Sequence, residues 1–88
     1  MKSYLFLENG EGMRTKDVIG VFDLDQITLS KATAVSLSEA QKKIRVVNVA
    51  NDLPKSLIIK DEAYGARLYL SGLSTDAIMR RLKEKDYD

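Results

Sequence analysis

The chain has no cysteine and no histidine. Without cysteine there are no disulfides, no thiolate zinc site and no cysteine nucleophile. Without histidine the usual general base, the Ser-His-Asp arrangement and the commonest metal ligand are missing. Catalysis would have to rest on carboxylates, lysines, tyrosines or serines, so the chain reads as a non-enzyme with no catalytic residue, metal or cofactor. Charge of one sign is lacking too: fourteen Lys and Arg stand against thirteen Asp and Glu, a formal +1. A dedicated nucleic-acid binder often has a pI above about 9, yet a near-neutral total can hide a basic face if the acids lie elsewhere. Long hydrophobic runs are absent. The opening MKSYLFLENG is broken by Glu8, too short for a signal peptide's apolar region, and nothing approaches transmembrane length. A cytoplasmic, soluble protein with no membrane contact is expected. At 88 residues the chain reads as one domain over 1–88, burying about 60% or a little more of its unfolded surface. That leaves little room for a deep cleft.

What is present reads mainly as short strands. Tyr4-Leu5-Phe6-Leu7 is β-prone and is closed by Glu8-Asn9-Gly10-Glu11-Gly12, whose Asn and glycines favour positive-φ turn positions. MRTKDVIGVFDLD follows, and Val18, Ile19, Val21 and Phe22 suggest a strand covered on both faces for part of its length. Gly20 within it suggests a bulge or a close backbone approach. The two runs together read as an antiparallel hairpin.

Between Ser30 and Lys43 the period changes to helical, with Ala34, Leu37 and Gln41 on one side and Ala40 and Ile44 beside them. Ser30 suits an N-cap, and Lys42 with Lys43 the C-terminal end of the dipole. IRVVNVA (44–50) and SLIIK (56–60) are β-branched strands joined by NDLPKS, which holds the only proline. RLYLSGL (67–73) alternates Leu68 and Leu70 with Arg67, Tyr69 and Ser71. Ser74-Thr75-Asp76 opens a last helix with Ile78 and Leu82 on its buried edge. The expected order is ββαβββα: an α+β domain with a small, mostly antiparallel sheet and two helices. Five strands and two helices leave apolar surface hard to cover, and self-association is the natural remedy.

Several groups qualify as chemical candidates. Asp23 and Asp25, if the strand continues, stand on one face about 7 Å apart, but a divalent-cation site needs more oxygen ligands than Gln26, Thr28 and Ser30 supply, and a solvated strand end is the plainer reading. Lys42-Lys43-Ile44-Arg45 can contact phosphates or complement a helix dipole. Arg14 and Lys16, as alternate residues of a strand, would point the same way and form a basic edge, or simply guard that edge against aggregation. Arg81 lies beside the last helix's buried edge, in reach of a subunit boundary. Stacking platforms for single strands want exposed rings among basic residues; Tyr64 and Tyr69 are the two placed for that, with packing against the sheet the equal alternative for Tyr69. ENGEG lacks the lysine and following helix of a phosphate loop.

Taken together, TKDVIGVFDLD (15–25), ITLSKAT (27–33), VVNVANDLPKSLII (46–59) and LYLSGLSTDAIMRRL (68–82) resemble the RemB-like branch of the RemA/RemB family of small bacterial extracellular-matrix (biofilm) regulatory proteins. The resemblance spans nearly the whole chain in order. It implies a β-rich domain related to the LytTR type of DNA-binding fold. It also implies ring-like homo-oligomers that bind repetitive upstream double-stranded DNA and activate matrix and osmoprotection genes. A ring would add several modest basic patches through effective concentration. Where RemA-type members carry an arginine-rich Gly-Arg-Arg stretch, this chain has Asp52-Leu53-Pro54-Lys55-Ser56, and it has Asp17 near a family arginine. A lone lysine does not replace bidentate guanidinium contacts at equal strength.

Two functions follow as expectations. One is an oligomeric DNA-binding transcriptional regulator with Arg14, Lys16, Arg45 and Lys55 as phosphate contacts. The other is a homo-oligomeric adaptor binding a protein partner, such as a RemA-like protein, through a sheet edge or the loop of Leu53 and Pro54, with Arg81 at an interface.

Overall fold

Strand β1 (Tyr4–Phe6) and strand β2 (Gly12–Arg14) pair antiparallel. Their connection is the turn Glu8-Asn9-Gly10-Glu11, with φ of 59° at Asn9 and 75° at Gly10. Positive φ at both central residues is what a tight hairpin needs to match the strand twist, and the Glu11 N–H closes the turn on the Glu8 carbonyl at 3.2 Å. In this computed structural model residues 4–27, 31, 43–63 and 65–83 are described.

The second apolar run is not one strand. A 3-10 turn (Thr15–Asp17) separates β2 from β3 (Val18–Asp23), and β3 leaves the hairpin to join another sheet. That sheet adds β4 (Lys43–Asn48), β5 (Ser56–Glu62) and β6 (Gly65–Ser71) in the order β3-β5-β6-β4. The β3–β5 and β5–β6 pairs are antiparallel, and β4 runs parallel to β6. A helix, α1 (Thr75–Lys83), follows. Its N-cap is Ser74, whose hydroxyl accepts the Ala77 N–H at 3.1 Å. The fold is thus α+β and mostly antiparallel, with six strands among the described residues where five were expected. The helix expected over 30–43 lies outside the described residues except at Lys31, which is helical, and at Lys43, which belongs to β4.

Register assigns the two faces of the four-stranded sheet. Val21, Ile58, Tyr69 and Val47 share one face with the buried Leu5, Leu7 and Met13 of the hairpin and Ile78 of α1. Leu57, Ile59, Ala66 and Leu68 share the other, with Phe22, Leu24, Ile27 and Leu70 against them. Each fully buried Leu or Ile contributes about 1.5–3 kcal/mol, and β5 and β6 are central because they supply such residues to both faces. Tyr69 is buried in the first cluster and offers no stacking platform. β3 is an edge strand with its Ile19 exposed, and it is covered on both faces for part of its length, by the first cluster over Val18 and Val21 and by the second over Phe22. The register does slip between Val18 and Gly20, the bulge that Gly20 suggests; the close neighbour there is the Phe22 ring, 3.0 Å from where a Gly20 Cβ would stand.

The proline loop is not a hairpin corner. Strand β6 lies between β4 and β5, so the chain from Val49 to Lys55 spans two strand spacings, roughly 10 Å. It crosses over the end of β6. The Val49 N–H donates to the Leu70 carbonyl at 2.9 Å and the Lys55 N–H to the Ser71 carbonyl at 2.8 Å. Pro54, which has no N–H, sits just before the point where ladder bonding resumes.

Candidate nucleic-acid interface

The register of the sheet brings together cations that are far apart in sequence. Lys60 on β5 pairs with Arg67 on β6, and Arg67 pairs with Arg45 on β4. Facing residues of paired strands share a sheet face, so the three form a row across the sheet at a pitch of about 4.8 Å. One carboxylate contacts two of them: Glu62 Oε2 lies 3.5 Å from Lys60 Nζ and 3.3 Å from Arg67 Nε. Arg67 Nη1 is 3.5 Å from the Tyr69 hydroxyl, which accepts. That hydrogen bond, opposed by desolvation and aided by Glu62 and Glu11, holds the guanidinium above its ordinary pKa. Arg45 is exposed and has no ion-pair partner among the described residues. The row therefore carries three positive charges against one contacting negative charge.

Arg14 and Lys16 stand near the same end of the fold, because the 3-10 turn that holds Lys16 packs against β5. They are not alternate residues of one strand as expected. Arg14 ends β2 and Lys16 sits in the turn. Arg14 Nε lies 3.3 Å from Asp17 Oδ2 with the arginine side chain about half exposed, a surface pair worth about 0–1 kcal/mol and readily exchanged for a phosphate. Lys55 is elsewhere. It precedes β5 at the opposite end, five residues from Lys60, or about 16 Å along the strand. Arg14, Lys16, Arg45, Lys60 and Arg67 thus gather at one end without Lys55. Lys60 and Arg67 were missed in the sequence because only the ladder register makes them neighbours of Arg45.

Leu53, at 79% exposed, tops the crossing loop, with Pro54 partly buried behind it. Arg81, expected at a subunit boundary, donates from Nη1 to the Phe6 carbonyl of its own chain at 2.7 Å and ties α1 to β1. The Asp23–Asp25 pair is a turn: Asp23 ends β3 and its Oδ1 accepts the Asp25 N–H at 2.8 Å. Tyr64 lies outside the described residues. An open groove is lined, among the described residues, by Val21, Phe22, Asp23, Gln26, Ile27 and Thr75, none of them a cation to hold a phosphate.

The loop end is anchored by a buried polar cluster that sequence reasoning did not foresee. Glu8 accepts the Ser71 hydroxyl at 2.7 Å and the Gly72 N–H at 2.6 Å. Ser71 Oγ in turn accepts the Leu73 N–H at 3.0 Å, and Ser56 donates to the Leu73 carbonyl at 2.6 Å. Asn9 adds a bond to the Val49 carbonyl at 2.9 Å. The hairpin turn thereby fastens both β6 and the start of the crossing loop.

No helix among the described residues is long and apolar enough to cross a membrane. Comparison with protein-family models, curated proteins and solved structures found no match.

Proposed function

We propose that this chain is a non-catalytic, homo-oligomeric DNA-binding regulator of transcription, acting on extracellular-matrix genes as its resemblance to the RemB-like branch and the LytTR type of fold implies. The observation that supports it best is the cation row of Arg45, Arg67 and Lys60 with Arg14 and Lys16 near the same end. Such a row suits the phosphate backbone, which supplies most of the affinity of non-specific binding. Lys55 is set apart from it, so the duplex is held by the sheet end rather than by the loop where RemA-type chains carry arginines. The test is charge removal at the exposed cations. Arg45→Gln and Lys16→Gln should each weaken duplex binding about equally on unrelated sequences and lower the salt slope by about one. Variants that bind as wild type would remove the row from the mechanism.

A second reading, an adaptor for a protein partner, draws on Leu53, which is 79% exposed on a loop whose backbone is fixed at both ends. Leu53→Ala should leave the folding stability of one copy within about 0.5 kcal/mol. A fall in oligomer mass on that substitution places the loop between copies. An unchanged mass with lost capture of a RemA-like protein favours the adaptor.

A further inference from the structure

We propose that the outward face of the β1–β2 hairpin is a second nucleic-acid site, one that takes unpaired nucleobases by stacking. Tyr4 and Phe6 point away from the core while Leu5 between them is buried, and they are 51% and 61% exposed. Their ring centroids are 6.0 Å apart and their planes differ by 25°, so the two rings form a stacked pair on the outer side of the hairpin. Phe6 faces Gly12 across the ladder, and a Cβ on Gly12 would stand 2.9 Å from Phe6 Cδ1. The Cδ1–Cε1 edge of the ring therefore occupies the space a side chain at position 12 would need, while Phe6 as a whole stays 61% exposed. Glycine inside a strand weakens it, and here it makes room for the Phe6 ring.

The charge around the rings selects the occupant. Arg14 is directly across the ladder from Tyr4, and exposed Lys16 follows in the next turn. Exposed rings beside Lys16 and beside Arg14, whose surface pair with Asp17 is weak, fit a ligand that brings π-faces and negative charge together, which is single-stranded nucleic acid. Bases within a duplex have their faces stacked on each other and cannot use this platform. The rings are thus separate from the duplex contacts proposed for the cation row, while Arg14 and Lys16 lie between the two sites and can serve either.

The test is fluorescence anisotropy of the full chain with a labelled oligothymidylate and, separately, a mixed-sequence duplex of equal length. Wild type should bind the single strand. Tyr4→Ala and Phe6→Ala should each weaken that binding by about fivefold to a hundredfold, the range set by one lost base–ring stack, while Tyr4→Phe and Phe6→Tyr restore it. Duplex affinity and solution mass should stay at wild-type values. Failure of wild type to bind the single strand, or alanine variants that bind it normally, overturns the proposal. So does a loss of oligomer mass in the alanine variants, which would make the face a contact between copies. Duplex binding lost with single-strand binding kept would instead count against the regulator reading and leave this site standing.

Discussion

Replacing Glu8 by alanine should destabilise the domain more than any other change in its hairpin turn. The carboxylate accepts two short hydrogen bonds, from the Ser71 hydroxyl at 2.7 Å and the Gly72 N–H at 2.6 Å. Ser71 is fully buried, so its hydroxyl would be left without an acceptor in Glu8→Ala, at about 1–3 kcal/mol. Gly72 is only partly buried and can turn to water, which limits its share to about 1 kcal/mol. The sum, about 2–4 kcal/mol, is a large fraction of the roughly 4–13 kcal/mol expected for a domain of this size. It corresponds to a fall in Tm on the order of 10–20 °C. The pH dependence follows with a definite sign. Burial alone would raise the Glu8 pKa, but the bonds from Ser71, its own amide and Gly72, with the charge of Arg81, bring it below 4.5. A depressed carboxylate stabilises the fold while ionised, and that contribution is complete above the unfolded value and lost as pH falls through the folded one. The stability gap between wild type and Glu8→Gln, measured by urea denaturation, should therefore be widest near neutral pH and close as pH drops below 4.5. A Glu8→Ala protein within 0.5 kcal/mol of wild type at pH 7 would refute the reasoning.

Two other substitutions test the frame that carries the sites. Ile78→Ala removes the fully buried contact of α1 with the sheet and should cost about 2–5 kcal/mol in the urea midpoint analysis. Gly10→Ala meets no atom within 4 Å, yet φ of +75° makes it unfavourable by about 1–2 kcal/mol, whereas Gly10→Asn should lie closer to wild type. Equal stability of the alanine and asparagine variants would contradict the turn assignment.

Much of the framework can be read from local pattern. The β-branched content of SLIIK, the positive-φ residues at Asn9-Gly10 and the cap at Ser74 each have a local cause, and each appears in the structure. The strand order is another matter. The residues of VVNVA and SLIIK are the same whether the two strands pair directly or admit β6 between them, because a parallel ladder leaves no local mark. The interface inherits that limit: Arg45, Lys60 and Arg67 become a row only once the β4–β6 and β5–β6 registers are known. Alternation in RLYLSGL points to one buried face, but both sides of β6 are covered, so Tyr69 went from candidate platform to core. Conversely, Tyr4 and Phe6 look like ordinary strand hydrophobics until Gly12 is seen opposite. Glu8 looks like a turn residue until Ser71 and Gly72 are found against it, more than sixty positions away.

The most direct test of the central claim is the affinity of the full chain for duplex DNA between 50 and 200 mM salt, with solution mass followed by light scattering. Phosphate contacts through the cation row of an oligomer predict a mass of several chains and a log–log slope of about −0.9 for every phosphate neutralised. A monomer, or an affinity that stays flat across that range, contradicts the account.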